Sequence, residues 1–397
     1  MFAHLRIMKD ENYARKEMES INVEEGGMKI MVPKSFHHCI KFYELEPQDA
    51  IILKQEMIAC GGDAAISRYA VPPYGKKTDA LVMGTKSQLY ALSRRLTGQY
   101  RRVSFIGDKI MEIMGNLDSS RVLNLGRNSG KKTLIMGILN VTPDSFHDGG
   151  KYVIPENAVK RAKEMAEEGA DIIDIGGESS RPGANPVGKS EELKRVIPVI
   201  EAISGEIKVP ISVDTYRAEV AERAIEAGAG MVNDTTALRG DDNMAKAIKD
   251  HDVPVCLMHM KGTPQKMQKN PQYNDVMAEI TQFLHERAYY ALSRGIDRGN
   301  IILDPGIGFG KRTGKGIEDN CEILSRLAEL KSLGFPILVG ASHKTFIGNI
   351  CGVETNERLE GSLGAEAMAI ANGADILRVH NVKETKRMAM VVDKIVG

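Results

Sequence analysis

The sequence predicts an α/β protein, a (β/α)8 TIM barrel over residues 134–397 preceded by a small α/β N-terminal domain over residues 1–115. Two observations carry the barrel. From about residue 130, a short β-branched apolar run, a polar loop and a helical stretch recur eight times, and eight strand–helix units in roughly 265 residues is the size of a closed parallel barrel. The loop after the first strand reads Asn140-Val-Thr-Pro-Asp-Ser145, whereas a doubly wound dinucleotide-binding sheet starts with Gly-x-Gly-x-x-Gly at that point.

The strands are expected at 134–141, 172–176, 210–214, 230–233, 253–259, 301–304, 336–340 and 376–380. Helices follow near 155–168, 190–204, 216–227, 241–250, 275–294, 319–332, 357–372 and 383–396, where apolar residues return at helical spacing. Residues 1–115 lack the repeat; strands at 3–8, 28–32 and 79–83 and helices at 47–60, 86–97 and 103–114 are expected there. Between the two parts, residues 116–133 place an alternating Val122-Leu-Asn-Leu125 between polar and Gly-rich turns. This predicts a linker forming a β-hairpin that plugs the barrel's N-terminal end.

Composition narrows the function. Lys plus Arg equals Asp plus Glu at 53 each, so no electrostatic case exists for nucleic acid or an anionic membrane, and a small-molecule partner is favoured. The five cysteines are scattered and form no Cys-x-x-Cys pair, which argues for a reducing compartment. No leader-like N-terminus or apolar run of membrane length is evident, so a cytoplasmic location is expected. His37-His-Cys39 is the one N-terminal feature with metal-binding residue types. Packed or surface residues are the favoured reading.

In such barrels the C-terminal strand ends carry the chemistry. Here they read Asn140, Asp174 to Glu178-Ser-Ser-Arg-Pro-Gly183, Ser212-Val-Asp-Thr215, Asn233-Asp-Thr235, Met258-His-Met-Lys261, Asp304-Pro-Gly-Ile-Gly-Phe-Gly-Lys311, Ser342-His-Lys344 and Arg378-Val-His-Asn381. One polar strand end is usually a helix cap; eight together point to a ligand. Asp214, Asn233 and Asp304 adjoin apolar runs, where an unpaired polar group costs several kcal/mol. Their partner is either a planar heterocycle with an amidine-like donor edge, such as a pterin, or a basic or backbone group inside the barrel.

Arg378 and His380, two apart on the last strand, form an anion site that Arg181 can extend as a bidentate clamp. For a diphosphate, Mg²⁺ held by substrate oxygens and one or two protein oxygens is expected; a lone Asn140 is a weak ligand signal, and its assignment to the metal rests on the resemblance given next. Lys344 either forms a Schiff base or stays charged and donates to a ring carbonyl. Gly306-Ile-Gly-Phe-Gly310 lacks the Gly-Lys-Ser/Thr of a P-loop and reads as a loop placing Phe309 over an aromatic ligand.

Five segments, Asn140–Gly150, Asp174–Gly183, Ser212–Thr215, Leu303–Lys311 and Ser342–Gly348 with Arg378–His380, resemble the signatures of the dihydropteroate synthase family of pterin-binding TIM barrels. The resemblance implies condensation of 6-hydroxymethyl-7,8-dihydropterin diphosphate with p-aminobenzoate, Mg²⁺ as cofactor and a homodimer. It assigns Asp214, Asn233, Asp304, Lys344 and Met258 to the pterin, and Asn140, Arg181, Arg378 and His380 to diphosphate and Mg²⁺. Phe146, Ser180, Arg181, Pro182, Phe309 and Thr345 fall on the aminobenzoate side. Some members carry an N-terminal extension like residues 1–115.

The sequence departs from the family pattern at three places: His147 for Ser, Ser180 for Thr, and Ser342-His-Lys-Thr345 for Ser-Arg-Lys-Ser. All lie on the arylamine side, leaving the amine as p-aminobenzoate or a modified aminobenzene. The alternatives are a pterin-dependent corrinoid methyltransferase and a non-catalytic binding barrel. The first does not need Arg181, Lys344, Arg378 and His380 arranged for a diphosphate, and the second should have lost one or more rim residues, whereas none is lost.

Overall fold

The computed structural model describes residues 3–71, 75–119, 121, 123–124, 132–141, 156–178, 187–263, 266–314 and 316–396. They divide into two compact units, Met1–Ser119 and Ser120–Gly397.

In the first unit, β1 (His37–Leu45), β2 (Asp63–Ile66) and β3 (Thr78–Thr85) form an antiparallel sheet with β3 in the centre. Helices α3 (Pro47–Ala59), α4 (Lys86–Leu96) and α5 (Arg101–Asp118) bury Leu53, Met57, Leu89, Leu92, Ile110 and Met114 against Ile40 and Val82. Thr85 and Gln88 form a reciprocal capping box that starts α4. The helices α1 (Glu11–Ser20) and α2 (Glu25–Met31) precede this sheet.

The sequence expectations fail here at several places. Residues 3–8 have no regular structure, 28–32 are helical, and β1, β2 and α1 lie where no element was expected. On β1 only Ile40 is buried, since an edge strand leaves most side chains in water and blurs the period-2 pattern. On the same strand His37 and Cys39 face opposite to His38, and among the described residues no three His, Cys, Asp or Glu side chains are grouped to hold a metal.

The second unit is an eight-stranded parallel barrel: β4 (Leu134–Asn140), β5 (Ile172–Gly176), β6 (Ile211–Asp214), β7 (Met231–Asp234), β8 (Val255–Met258), β9 (Ile301–Asp304), β10 (Leu338–Val339) and β11 (Ile376–Val379). Sequential strands pair, β11 returns to β4, and a single Leu303–Ile337 bridge closes β9 against β10.

Helices α6 (Glu156–Glu168), α7 (Lys189–Ser204), α8 (Ala218–Glu226), α9 (Met244–His251), α10 (Val276–Ser293), α11 (Asp319–Ser325), α12 (Thr345–Cys351), α13 (Leu359–Ala371) and α14 (Val382–Val396) accompany the strands. The short α12 was not foreseen. The stretch expected as one helix at 319–332 instead splits into α11 and a 3₁₀ segment, Leu327–Leu333.

Alternation along the strands sorts the core. Ile135, Ile173, Val213, Val232, Leu257 and Leu377 join the large cluster with the helices, while Met136, Ile172, Met231, Cys256, Ile302, Leu338 and Ile376 fill the lower lumen. Leu123 packs on that lumen cluster, and Asn124 donates to Asn300 Oδ1 at 3.1 Å. No strand occurs among the described residues of 116–133. All five cysteines are unpaired, and among the described residues no helix is long and apolar enough to cross a membrane.

One buried carboxylate works against stability. Glu366 of α13 is 1% exposed, accepts from Thr385 Oγ1 at 2.9 Å, and has no partner for Oε1 among the described residues. Burial raises its pKa from 4.5 to about 7. Because the folded value lies above the unfolded one, the cost is absent below pH 4.5, grows through the interval and is complete above pH 7. Glu366→Gln is therefore expected to stabilise the protein at pH 8 by on the order of 3 kcal/mol, and to leave it unchanged near pH 4. Thermal melts at the two pH values check this; equal shifts at both would refute it.

Candidate active site

Side chains two apart on a strand share a face, so the apolar lumen layer fixes what stands above it. Asp174 follows Ile172, Asn233 follows Met231, Met258 follows Cys256, Asp304 follows Ile302 and Arg378 follows Ile376. Asn140 and Asp214 flank Gly176: a Cβ there would lie 3.8 Å from Asn140 Oδ1 and 3.7 Å from Asp214 Oδ2.

Arg378 ties this ring together. Its Nε donates to Asp174 Oδ2 and its Nη2 to Asp214 Oδ2, both at 2.7 Å. Asn233 Nδ2 donates to the same Asp174 oxygen at 3.1 Å, while Asp174 Oδ1 is buried without a partner among the described residues. Two carboxylates thus share one guanidinium. Burial pushes the Asp214 carboxyl above its usual range; Arg378 opposes this and Asp174 reinforces it. Burial works against the Arg378 charge, yet Asp174 and Asp214 hold its pKa above the ordinary value.

Asp304 accepts from the Gly306 amide at 2.7 Å, and burial raises its pKa. Lys344, the residue before α12, places Nζ 4.3 Å from the centre of the Phe309 ring. Burial first, then Arg378, lowers its pKa to about 8, which leaves it charged at pH 7. Phe309 is packed with Met258, Met260 and Met267.

His380 Nδ1 meets Ser342 Oγ at 3.2 Å, and its ring stands edge-on to His343 at 5.5 Å. His343 occupies a left-handed backbone conformation (φ 54°). Its Nδ1 meets Thr355 O at 2.9 Å and its Nε2 meets Asn381 Oδ1 at 2.6 Å. The side chain fastens the turn bearing Lys344 to two neighbouring elements.

A cleft of 1340 Å³ opens on this rim, lined by Asn140, Phe309, Lys344, Thr345, Arg378 and His380 among others. It exceeds the roughly 300–1,000 Å³ of a typical single-ligand site. Asp214, Asn233, Asp304 and Met258 are not on its wall; they stand at the adjoining strand ends, with Arg378 between Asp214 and the cleft. Phe146, His147, Ser180, Arg181 and Pro182 lie outside the described residues.

Sequence reasoning passed over Lys311. It is 1% exposed and donates to the carbonyls of Gly306 (2.8 Å) and Phe309 (3.1 Å), with His259 Nδ1 at 3.0 Å. Burial lowers its pKa to about 7, and burial together with Lys311 lowers that of His259 to about 2, so the imidazole is a neutral acceptor. Lys311 therefore pins the loop that holds Phe309. Gly306 must be glycine, because its φ is 68° and a Cβ would come within 1.9 Å of His259 O. The signal in the sequence was a lysine closing a run of alternating glycines.

The pattern of the family described as pterin binding enzyme matches residues 136–380. The dihydropteroate synthase of Bacillus subtilis is 47% identical over 267 residues, covering 67% of this chain and 90% of that one. The chain belongs to the dihydropteroate synthase family. A second relative in the dihydropteroate synthase family extends the likeness into the N-terminal unit. This is the probable bifunctional folylpolyglutamate synthase/dihydropteroate synthase of Halobacterium salinarum, 40% identical over 380 residues, which are 96% of this chain and 45% of that one. Among solved structures, the dihydropteroate synthase of Clostridium difficile, crystallised in the presence of pteroic acid, has a TM-score of 0.63 at 48% identity, covering 68% of this chain and 98% of that one.

Proposed function

We infer that the chain is a transferase that condenses 6-hydroxymethyl-7,8-dihydropterin diphosphate with p-aminobenzoate, yielding dihydropteroate and diphosphate. The observation that carries this is the 47% identity to a dihydropteroate synthase over 267 residues, on a rim that joins buried carboxylates to an Arg/His/Lys group.

The pterin's amino and ring N–H edge resembles a guanidinium in its donor pattern. In this proposal it takes acceptor positions on Asp214 and meets Asn233 and Asp304, while Lys344 donates to the ring carbonyl and Met258 packs on the ring face. Lys344 stays charged in this role, rather than forming a Schiff base. Arg378 retains Asp174 through Nε and turns its remaining donors to the diphosphate with His380 and Arg181.

The C–O bond to diphosphate breaks with its electron pair leaving on the anion, and the arylamine nitrogen forms the new C–N bond. The amine loses its proton as that bond forms, so no strong base is required. Asp214 stabilises the positive charge that spreads over the pterin, and cationic donors stabilise the leaving group. Phe146, Ser180, Arg181, Pro182, Phe309 and Thr345 hold the aminobenzoate or a modified aminobenzene.

The donor set fits Mg²⁺ only as a substrate-borne ion, with Asn140 as its protein ligand. Asn140 offers one neutral oxygen on the cleft wall, and no three-residue metal cluster occurs among the described residues. When bound, the ion would neutralise diphosphate charge. A homodimer is supported by the apolar face of Met368, Met390, Val391 and Ile395, each more than half exposed on α13 and α14. Cytoplasmic residence suits the unpaired cysteines.

The test is diphosphate release from the pterin diphosphate with and without p-aminobenzoate and Mg²⁺. Amine-dependent release is expected. Its absence in folded protein would sink the reaction.

A further inference from the structure

His343 is used by none of the steps above, yet all of its hydrogen-bonding groups are engaged. Its amide donates to Ser362 Oγ of α13 at 2.9 Å, and its carbonyl accepts from Arg358 Nη1 at 3.0 Å. Nδ1 faces the Thr355 carbonyl at 2.9 Å and is the protonated nitrogen of that pair, since a carbonyl only accepts. Nε2 meets the side chain of Asn381, the residue between His380 and α14, at 2.6 Å. The left-handed backbone (φ 54°) is uncommon outside glycine, and a residue is kept there only where its surroundings enforce it.

The surroundings of His343 converge on His380. The preceding residue, Ser342, accepts from the His380 amide at 3.3 Å and meets its Nδ1 at 3.2 Å. The His343 ring stands edge-on to the His380 ring at 5.5 Å, and Asn381 fixes the chain directly after it. We propose that His343 is a positioning residue for the departing diphosphate, acting through His380. Its chain neighbours Lys344 and Thr345 belong to the pterin and aminobenzoate sides, but its own ring is turned to the anion side of the cleft. Preorganised groups contribute most where charge develops, and charge develops on the diphosphate as the C–O bond breaks. The effect of His343 therefore falls on turnover and on diphosphate binding, not on amine binding. The inference rests on the assignment of His380 to the diphosphate.

His343→Asn removes the ring, keeps both main-chain bonds and tolerates the left-handed backbone. In steady-state kinetics of the full chain at saturating pterin diphosphate, kcat should fall about tenfold while the KM for p-aminobenzoate stays within about twofold. Inorganic diphosphate, added as a product inhibitor, should bind about tenfold more weakly. Asn381→Ala removes the partner of Nε2 and should move kcat and the inhibition constant in the same direction. It carries the test by itself if His343→Asn does not fold.

His380→Ala separates this inference from the reading on which it rests. If His380→Ala and His343→Asn both weaken inhibition by diphosphate with the p-aminobenzoate KM unmoved, the proposal stands. If His380→Ala does so while His343→Asn leaves the inhibition constant unchanged, or raises the KM values of both substrates alike, His343 is merely structural and the proposal is overturned. If His380→Ala leaves inhibition by diphosphate unchanged, the assignment of His380 fails and the proposal falls with it. Amine-dependent diphosphate release by the parent protein would still uphold the reaction itself in that case.

Discussion

Arg378→Met will melt on the order of 10 °C below the parent at pH 7 and lose at least about a hundredfold in kcat/KM. Among the described residues the guanidinium is the only side-chain cation within hydrogen-bond reach of both Asp174 and Asp214, at 2.7 Å from each. Breaking a buried pair by removing one partner costs about 3–5 kcal/mol, because the charge left behind is no longer compensated. Here two are left. The pH dependence has a definite sign. Without Arg378 the main influence holding the Asp214 carboxyl down is gone, so its already raised pKa rises further. The stability gap is therefore full above the variant's raised pKa and narrows as pH falls from there towards the parent's value of about 7. Melts at pH 9 and pH 7 measure this. A variant as stable as the parent at pH 7 would show that the ion cluster is solvated rather than buried.

Asp214→Asn should separate stability from activity. The substitution removes a charge whose buried form is disfavoured, while Arg378 keeps Asp174. The fold should be as stable as the parent at pH 7 or more so, a common outcome where a site holds a strained charge. Turnover should fall by well over tenfold, in kcat more than in KM, because a carboxylate stabilises the developing pterin cation and an amide does not. Chemical denaturation and steady-state kinetics on one preparation decide it. Parent-like turnover would remove Asp214 from the mechanism, and a large loss of stability would mean that its charge supports the fold.

The barrel was legible because burial on both faces of parallel strands leaves short, nearly unbroken apolar runs at regular intervals. The rim was legible for the same reason: Asp214, Asn233, Asp304 and Arg378 stand out because each ends such a run. Less of the N-terminal unit could be read. β1 buries Ile40 alone, and α2 contains Gly26 and Gly27, whose low helix propensity hides a helix held by Met28 packing on Ala14 and Val32.

What joins distant residues was hidden altogether. Arg378 meets carboxylates 204 and 164 positions away, and nothing local to the strand announces that pairing. Lys311 illustrates the same limit, since a lysine in a glycine-rich loop reads as solvated until three acceptors are found around its ammonium group.

The barrel wall is unequal around its circumference. β4 and β5 pair over five residues, whereas β10 has two residues and meets β9 through one bridge. A rolled sheet with a single thin stave has a built-in expansion joint, and Asp304 and Lys344 stand on its opposite edges. That line is the stretch of wall that the fewest ladder pairings hold together.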